Sequence, residues 1–145
     1  TLARMINPLG ADASVQSIFH PAYAVLHQQT DQILAQPRAL VFKGDSGEVE
    51  VKPQADTQLF LLSDGDRVEW SLPRSLPQRV SNVEFPSVAP LRELWIGNND
   101  DDYGQDATLA TASAALLVLE PTLTPATAQR RAAELWHNRD RRRLS

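Results

Sequence analysis

Four consecutive apolar residues, Ala39-Leu40-Val41-Phe42, most constrain what this chain can fold into. The run is too short for a buried helix and has the β-branched character of a strand covered on both faces, the pattern of a central, parallel strand. Before it, "HPAYAVLHQQTDQILAQ" reads as a helix with Pro21 in its first turn, where a missing N–H costs nothing. Ala22, Val25, Leu26, Ile33 and Leu34 recur there at helical spacing and are the expected buried stripe. "SVQSIF" (14–19) has strand character ahead of that helix. Strand, helix and strand in succession point to an α/β domain, with a central, mostly parallel sheet flanked by helices.

The rest of the chain fits that class. "EVEVK" (48–52) alternates, with Val49 and Val51 on one face of an expected strand and Glu48, Glu50 and Lys52 on the other. "TQLFLLSDGDRVEWSL" reads as a β-hairpin excursion that turns at Ser63-Asp64-Gly65-Asp66. Residues 71–90 hold four of the ten prolines and form an irregular connection. "SVAPLRELWIG" is an expected helix, "NNDDDYG" a polar loop, and "QDATLATASAALLVLE" a buried helix rich in small residues. "TPATAQRRAAELWHNRDRRRL" opens with Thr124 as N-cap and Pro125 behind it, with Ala128, Ala132, Leu135 and Trp136 as its buried stripe. At the start, "TLARMINPLG" reads as the last turns of a helix broken at Asn7-Pro8, as expected of a piece of something longer.

Composition excludes several chemistries. Cysteine is absent, which removes disulfides, thiolate catalysis and cysteine-bound zinc, and fits a cytoplasmic protein. No apolar run approaches the ~20 residues that span a bilayer, so no membrane partner is expected. The three histidines, His20, His27 and His137, lack metal-ligand spacing, and Asp100–Asp102 lack the alternate spacing of a calcium loop. The six glycines nowhere form a phosphate loop. Gly44-Asp45-Ser46-Gly47 looks like the nucleophile motif of a serine protease. Glu48 follows it where that motif has another glycine, and the chain is short for a double barrel, so Ser46 is expected in a turn.

Charge is unevenly spread. Residues 129–145 carry six arginines (Arg130, Arg131, Arg139, Arg141, Arg142, Arg143) against Glu134 and Asp140, a local net of +4. The remaining residues, eight basic against sixteen acidic, carry −8. Such a run is a solvated helix end or, since guanidinium forks suit phosphate oxygens, a nucleic-acid-binding surface formed by those six arginines.

Read in order, "INPLG" (6–10), "SIFHPAYAVL", "RALVFKGDSGEVEV" and "YGQDATLATASAALLVLE" resemble the C-terminal α/β part of the anthranilate phosphoribosyltransferase-like family, glycosyltransferase family 3. The resemblance covers nearly all of residues 1–145. It implies an upstream N-terminal helical half as partner, a homodimer, and a transferase acting on phosphoribosyl pyrophosphate with magnesium. Asn7 and Pro8 fall on the family's substrate-binding hinge. Glu50 falls on the Glu of its metal-binding Asp-Glu pair, and Val49 stands at the Asp. Valine cannot ligate magnesium, which takes oxygen ligands. No cofactor is therefore expected in this chain, magnesium belonging to the enzyme alternative. "LARMINPLG" and "GEVEV" further resemble a paralogous, nucleic-acid-binding branch of that family. That branch implies non-specific phosphate contacts in place of biosynthetic activity.

Overall fold

The structure is a computed structural model that describes residues 2–44, 48–77 and 87–144. Asp45, Ser46 and Gly47, and with them the expected turn at Ser46, lie outside the described residues, as do residues 78–86 of the proline-rich connection.

Four strands form one sheet in the order β1 (Ser14–Ile18), β2 (Arg38–Lys43), β3 (Thr57–Ser63) and β4 (Asp66–Leu72). A 3₁₀ turn (Pro21–Tyr23) and helix α1 (Ala24–Ile33) connect β1 to β2. That crossover lets the two strands run parallel, with Ser14 opposite Ala39 and Ile18 opposite Lys43. Ala39–Phe42 are all buried, as their composition predicts. The α/β class and the flanking helices are as expected, but the sheet is mixed. Both β2–β3 and β3–β4 are antiparallel. Among the described residues no helix intervenes between β2 and β3, and the chain returns antiparallel. The hairpin turns through Asp64 and Gly65, both at positive φ, and is an integral edge of the sheet.

Side-chain alternation along β2 divides the interior. Leu40 and Phe42 join Leu59, Leu61 and Leu72 against α3 (Asp102–Leu119) and α4 (Pro125–His137), with Ala114, Leu117, Ala128 and Ala132 closing that layer. Val41 faces the other way, onto Ile18, Ala24 and Phe60 beneath α1. Thr124 caps α4 by accepting from the Thr127 N–H, and Asp101 caps α3 through the Gly104 N–H. Asp102–Gly104, expected in a loop, therefore form the first turn of α3. The shorter α2 (Ala89–Ile96) ends at Gly97 in the left-handed region. Among the described residues, no helix is long and apolar enough to cross a membrane.

Three local expectations fail. Residues 48–52 are irregular, because the Val51 N–H donates to Thr111 Oγ1 on α3 instead of to a neighbouring strand. Val51 is buried and Val49 exposed, although strict alternation puts them on one face. In α4, Ala128 and Ala132 are buried but Leu135 is exposed. The third departure is the orientation of α1. Val25, Leu26, Ile33 and Leu34 face solvent, whereas Ala24, His27, Gln28 and Asp31 face the sheet.

Candidate functional site

In open α/β sheets, ligands bind beyond the carboxyl ends of the parallel strands. Here those ends are Ile18 and Lys43, followed by Gly44. A Cβ on Gly44 would lie 1.9 Å from the Glu48 carbonyl oxygen and 2.9 Å from Ser17 Cβ, so only glycine lets the chain close its loop against β1. On the α1 side of this sheet end is a cleft of about 150 Å³ bordered by Ile18, Pro21, Lys43, Gly44, Lys52 and Asp56. On the α3–α4 side is a second, of about 280 Å³, bordered by Lys52, Pro53, Leu72, Asp106, Ser113 and Gln129. Lys52 borders both. Two lysines against one carboxylate, Asp56, border the first cleft, a formal net of one positive charge.

Glu50 belongs to the same loop. Its Oε1 accepts from the Tyr103 hydroxyl at 3.1 Å, which ties the loop to the first turn of α3. Magnesium requires several oxygen ligands in near-octahedral array. Val49 offers none, Glu50 is committed to Tyr103, and no group of three or more His, Cys, Asp or Glu among the described residues could hold a metal ion. The donor set at Val49-Glu50 does not fit the ion.

The structure does not bring Asn7 and Pro8 to this loop. Asn7 Oδ1 accepts from the Ala11 N–H, and its Nδ2 donates to the Ala11 carbonyl and to Gln36 Oε1. Gln36 precedes β2, so Asn7 sits at the amino end of that strand, about 20 Å from its carboxyl end at the usual rise per residue.

The arginines fall into different environments. Arg139 donates to the carbonyls of Trp95 (2.8 Å), Trp136 (2.7 Å) and Leu94 (3.2 Å), and its guanidinium lies 3.7 Å from the centre of the Trp136 ring. Burial, with the nearby Arg141 charge, lowers its pKa. Arg131 pairs with Glu120, and Arg130 approaches Glu134 at 3.9 Å. Arg142 binds Asp140 at 3.1 Å, and these hydrogen bonds hold the Asp140 carboxyl below its usual range. Arg141–Arg143 are exposed on a 3₁₀ turn (Arg141–Leu144), with Arg141 against Gly97. Sequence reasoning missed Lys43, Lys52 and Tyr103. Lys43 could have been found as the first residue beyond an apolar β run. Nothing local marks Tyr103, which meets Glu50 only through the packing of α3.

The sequence matches no family model. It matches no curated protein either. Among solved structures, the chain is similar to the anthranilate phosphoribosyltransferase (TrpD) of Thermus thermophilus, with a TM-score of 0.72 and 22% identity. The similarity covers 95% of this chain and 42% of that one, so this chain spans less than half the length of that structure. At this identity the likeness is one of fold.

Proposed function

We propose that this chain is the C-terminal α/β portion of a phosphoribosyltransferase-like protein. Its cleft at the carboxyl ends of β1 and β2 takes the phosphate or pyrophosphate group of a ribosyl ligand. The carrying observation is that Lys43 and Lys52 border a cleft at the place where α/β sheets of this kind receive ligands. The fold shared with a phosphoribosyltransferase supports the ligand class. Ammonium groups can neutralise a phosphate without a divalent ion. Glu50 acts through Tyr103 to hold the loop. Transfer of the ribosyl group to an acceptor further requires groups that position the acceptor, and these are proposed to lie in the upstream half.

Titration calorimetry with phosphoribosyl pyrophosphate, with and without EDTA, tests this reading. Binding is expected in both conditions, and Lys43→Gln with Lys52→Gln is expected to weaken it at least about tenfold, about 1.4 kcal/mol. Val49→Asp should make binding respond to magnesium. Equal affinity of the parent and the double lysine variant rejects the site.

A second reading, non-specific nucleic-acid binding, rests on the exposure of Arg130, Arg141, Arg142 and Arg143 at the basic end of an acidic chain.

A further inference from the structure

The cleft on the α3–α4 side, about 280 Å³, is the larger of the two at this sheet end, and the proposed function does not use it. One wall is a face of α3, where Asp106, Leu109, Ala110 and Ser113 recur at i, i+3, i+4 and i+7. Buried Val51, Pro53 and Leu72 supply the opposite side. The volume is at the low end for small-molecule sites, and an apolar lining with a few polar groups is their usual make-up.

Backbone hydrogen bonds fix these walls. The Val51 N–H donates to Thr111 Oγ1 on α3 at 2.9 Å, which holds residues 51–53 along that helix. The Pro53 carbonyl accepts from the N–H groups of Ser75 and Leu76, both at 3.0 Å, which draws the segment after β4 onto the same side. A ligand entering here meets a preformed shape, so little ordering accompanies binding.

Two opposite charges border the apolar floor. Asp106 stands on α3, and Lys52 follows Val51, whose bond to Thr111 sets it beside a later turn of that helix. Among the described residues, they are the only charged groups on this border. No hydrogen bond or ion pair among those residues engages the Asp106 carboxylate. Asp102 lies four residues earlier in α3, and like charges at that spacing destabilise a helix unless a cation intervenes. The Lys52 ammonium has three donors, so it can hold a partner and still meet a ligand. The pair sums to zero, which neither a simple anion nor a simple cation matches. A zwitterion does. We propose that this cleft binds an α-amino acid with an apolar side chain. Its ammonium meets Asp106, its carboxylate meets Lys52, and its side chain packs on Leu72, Leu109 and Ala110.

A nuclear magnetic resonance titration of the isotope-labelled 145-residue chain with leucine tests the proposal, read at the amides of Lys52, Asp106 and Ala110. Saturation is expected with a dissociation constant of about 1 mM or tighter, ordinary for a ligand of this size. Isoamylamine lacks the carboxylate of leucine and isocaproate its ammonium, and each should bind at least about fivefold more weakly. Asp106→Asn keeps the shape of the side chain and should bind leucine no better than isocaproate. Lys52→Gln should bind leucine no better than isoamylamine. No phosphate is present, so the result is independent of what the first cleft binds. The proposal is overturned if leucine fails to saturate by about 20 mM, or if both truncated compounds match it in the parent. Variants that keep the parent's preferences overturn it equally.

Discussion

Arg139 joins two helix ends. The carbonyls it binds belong to the last turns of α2 and α4, where the partial negative charge of the helix dipole favours a cation. Its planar fork serves three acceptors while stacking on Trp136. In sequence it is one of six arginines in a basic segment, because local charge does not distinguish a guanidinium that meets carbonyls from one that meets solvent. Arg139→Ala is expected to cost about 2 kcal/mol in urea unfolding, the order of a charged hydrogen-bond cluster. Lysine should recover less than half of that, since it lacks the fork. Asp31 makes a different prediction. Desolvation raises its pKa, offset in part by the Gln16 hydrogen bonds and the nearby His27. A folded-state pKa above the unfolded value means that the folded state holds the proton more tightly. Ionised Asp31 therefore costs stability at neutral pH. The cost is relieved as pH falls through the folded pKa, and the relief is complete below the ordinary carboxylate value, ~3.9. Asp31→Asn removes this dependence, so the parent should gain stability relative to the variant between neutral pH and pH 4. The opposite trend in paired melts means that the His27 charge, not burial, governs the group.

At the scale of elements, the sequence was most legible where one physical cause acts alone. The Ala39–Phe42 run, the Asp64-Gly65 turn and the Thr124 cap each depend on neighbours within a few residues, and each is where the pattern puts it. Legibility fails where tertiary contacts decide. The alternation at 48–52 predicts a strand, but Thr111 captures the Val51 N–H and no adjacent strand pairs with the segment. The apolar spacing of α1 gave the helix correctly and its orientation wrongly, because His27, Gln28 and Asp31 find partners on the sheet that no local pattern reveals. The same holds for the candidate site. Glu50 was visible through resemblance, whereas its tie to Tyr103 spans 53 residues. Gly44 offers a test at this scale. The atoms its missing Cβ would meet include backbone, which cannot rotate aside. Gly44→Ala is therefore expected to cost about 1–3 kcal/mol, as for overpacking, and to weaken ligand binding at the β1–β2 cleft. Parent-like stability and binding would show that the loop does not need its close approach to β1.

Across the whole molecule, a chain of net charge −4 carries its excess positive charge at one end, and polyanion binding must overcome the acidic remainder. The structure reduces what that end can offer. Arg139 is committed to helix carbonyls, Arg131 to Glu120 and Arg142 to Asp140. Exposed pairs such as the last two are weak, so a phosphate can displace them, but the fixed arrangement of Arg139 cannot be exchanged without loosening α2. Arg130, Arg131, Arg141, Arg142 and Arg143 remain as candidate phosphate contacts. Each contact contributes roughly 0.7–0.9 to the slope of log K against log salt, depending on strandedness. Replacing Arg141, Arg142 and Arg143 with alanine should therefore lower the magnitude of that slope by about 2 to 3 and weaken binding alike for unrelated sequences, because phosphate contacts carry no base information. The double Lys43 and Lys52 variant should leave the slope as it is, since the cleft at the β1–β2 end and the arginine arm are different surfaces. Fluorescence anisotropy with two unrelated oligonucleotides at four salt concentrations measures both slopes. If the arginine triple variant keeps the parent slope, the arm is a solvated helix end and nucleic-acid binding loses its structural basis. If the lysine variant loses slope instead, nucleic acid and the ribosyl ligand compete for one cleft.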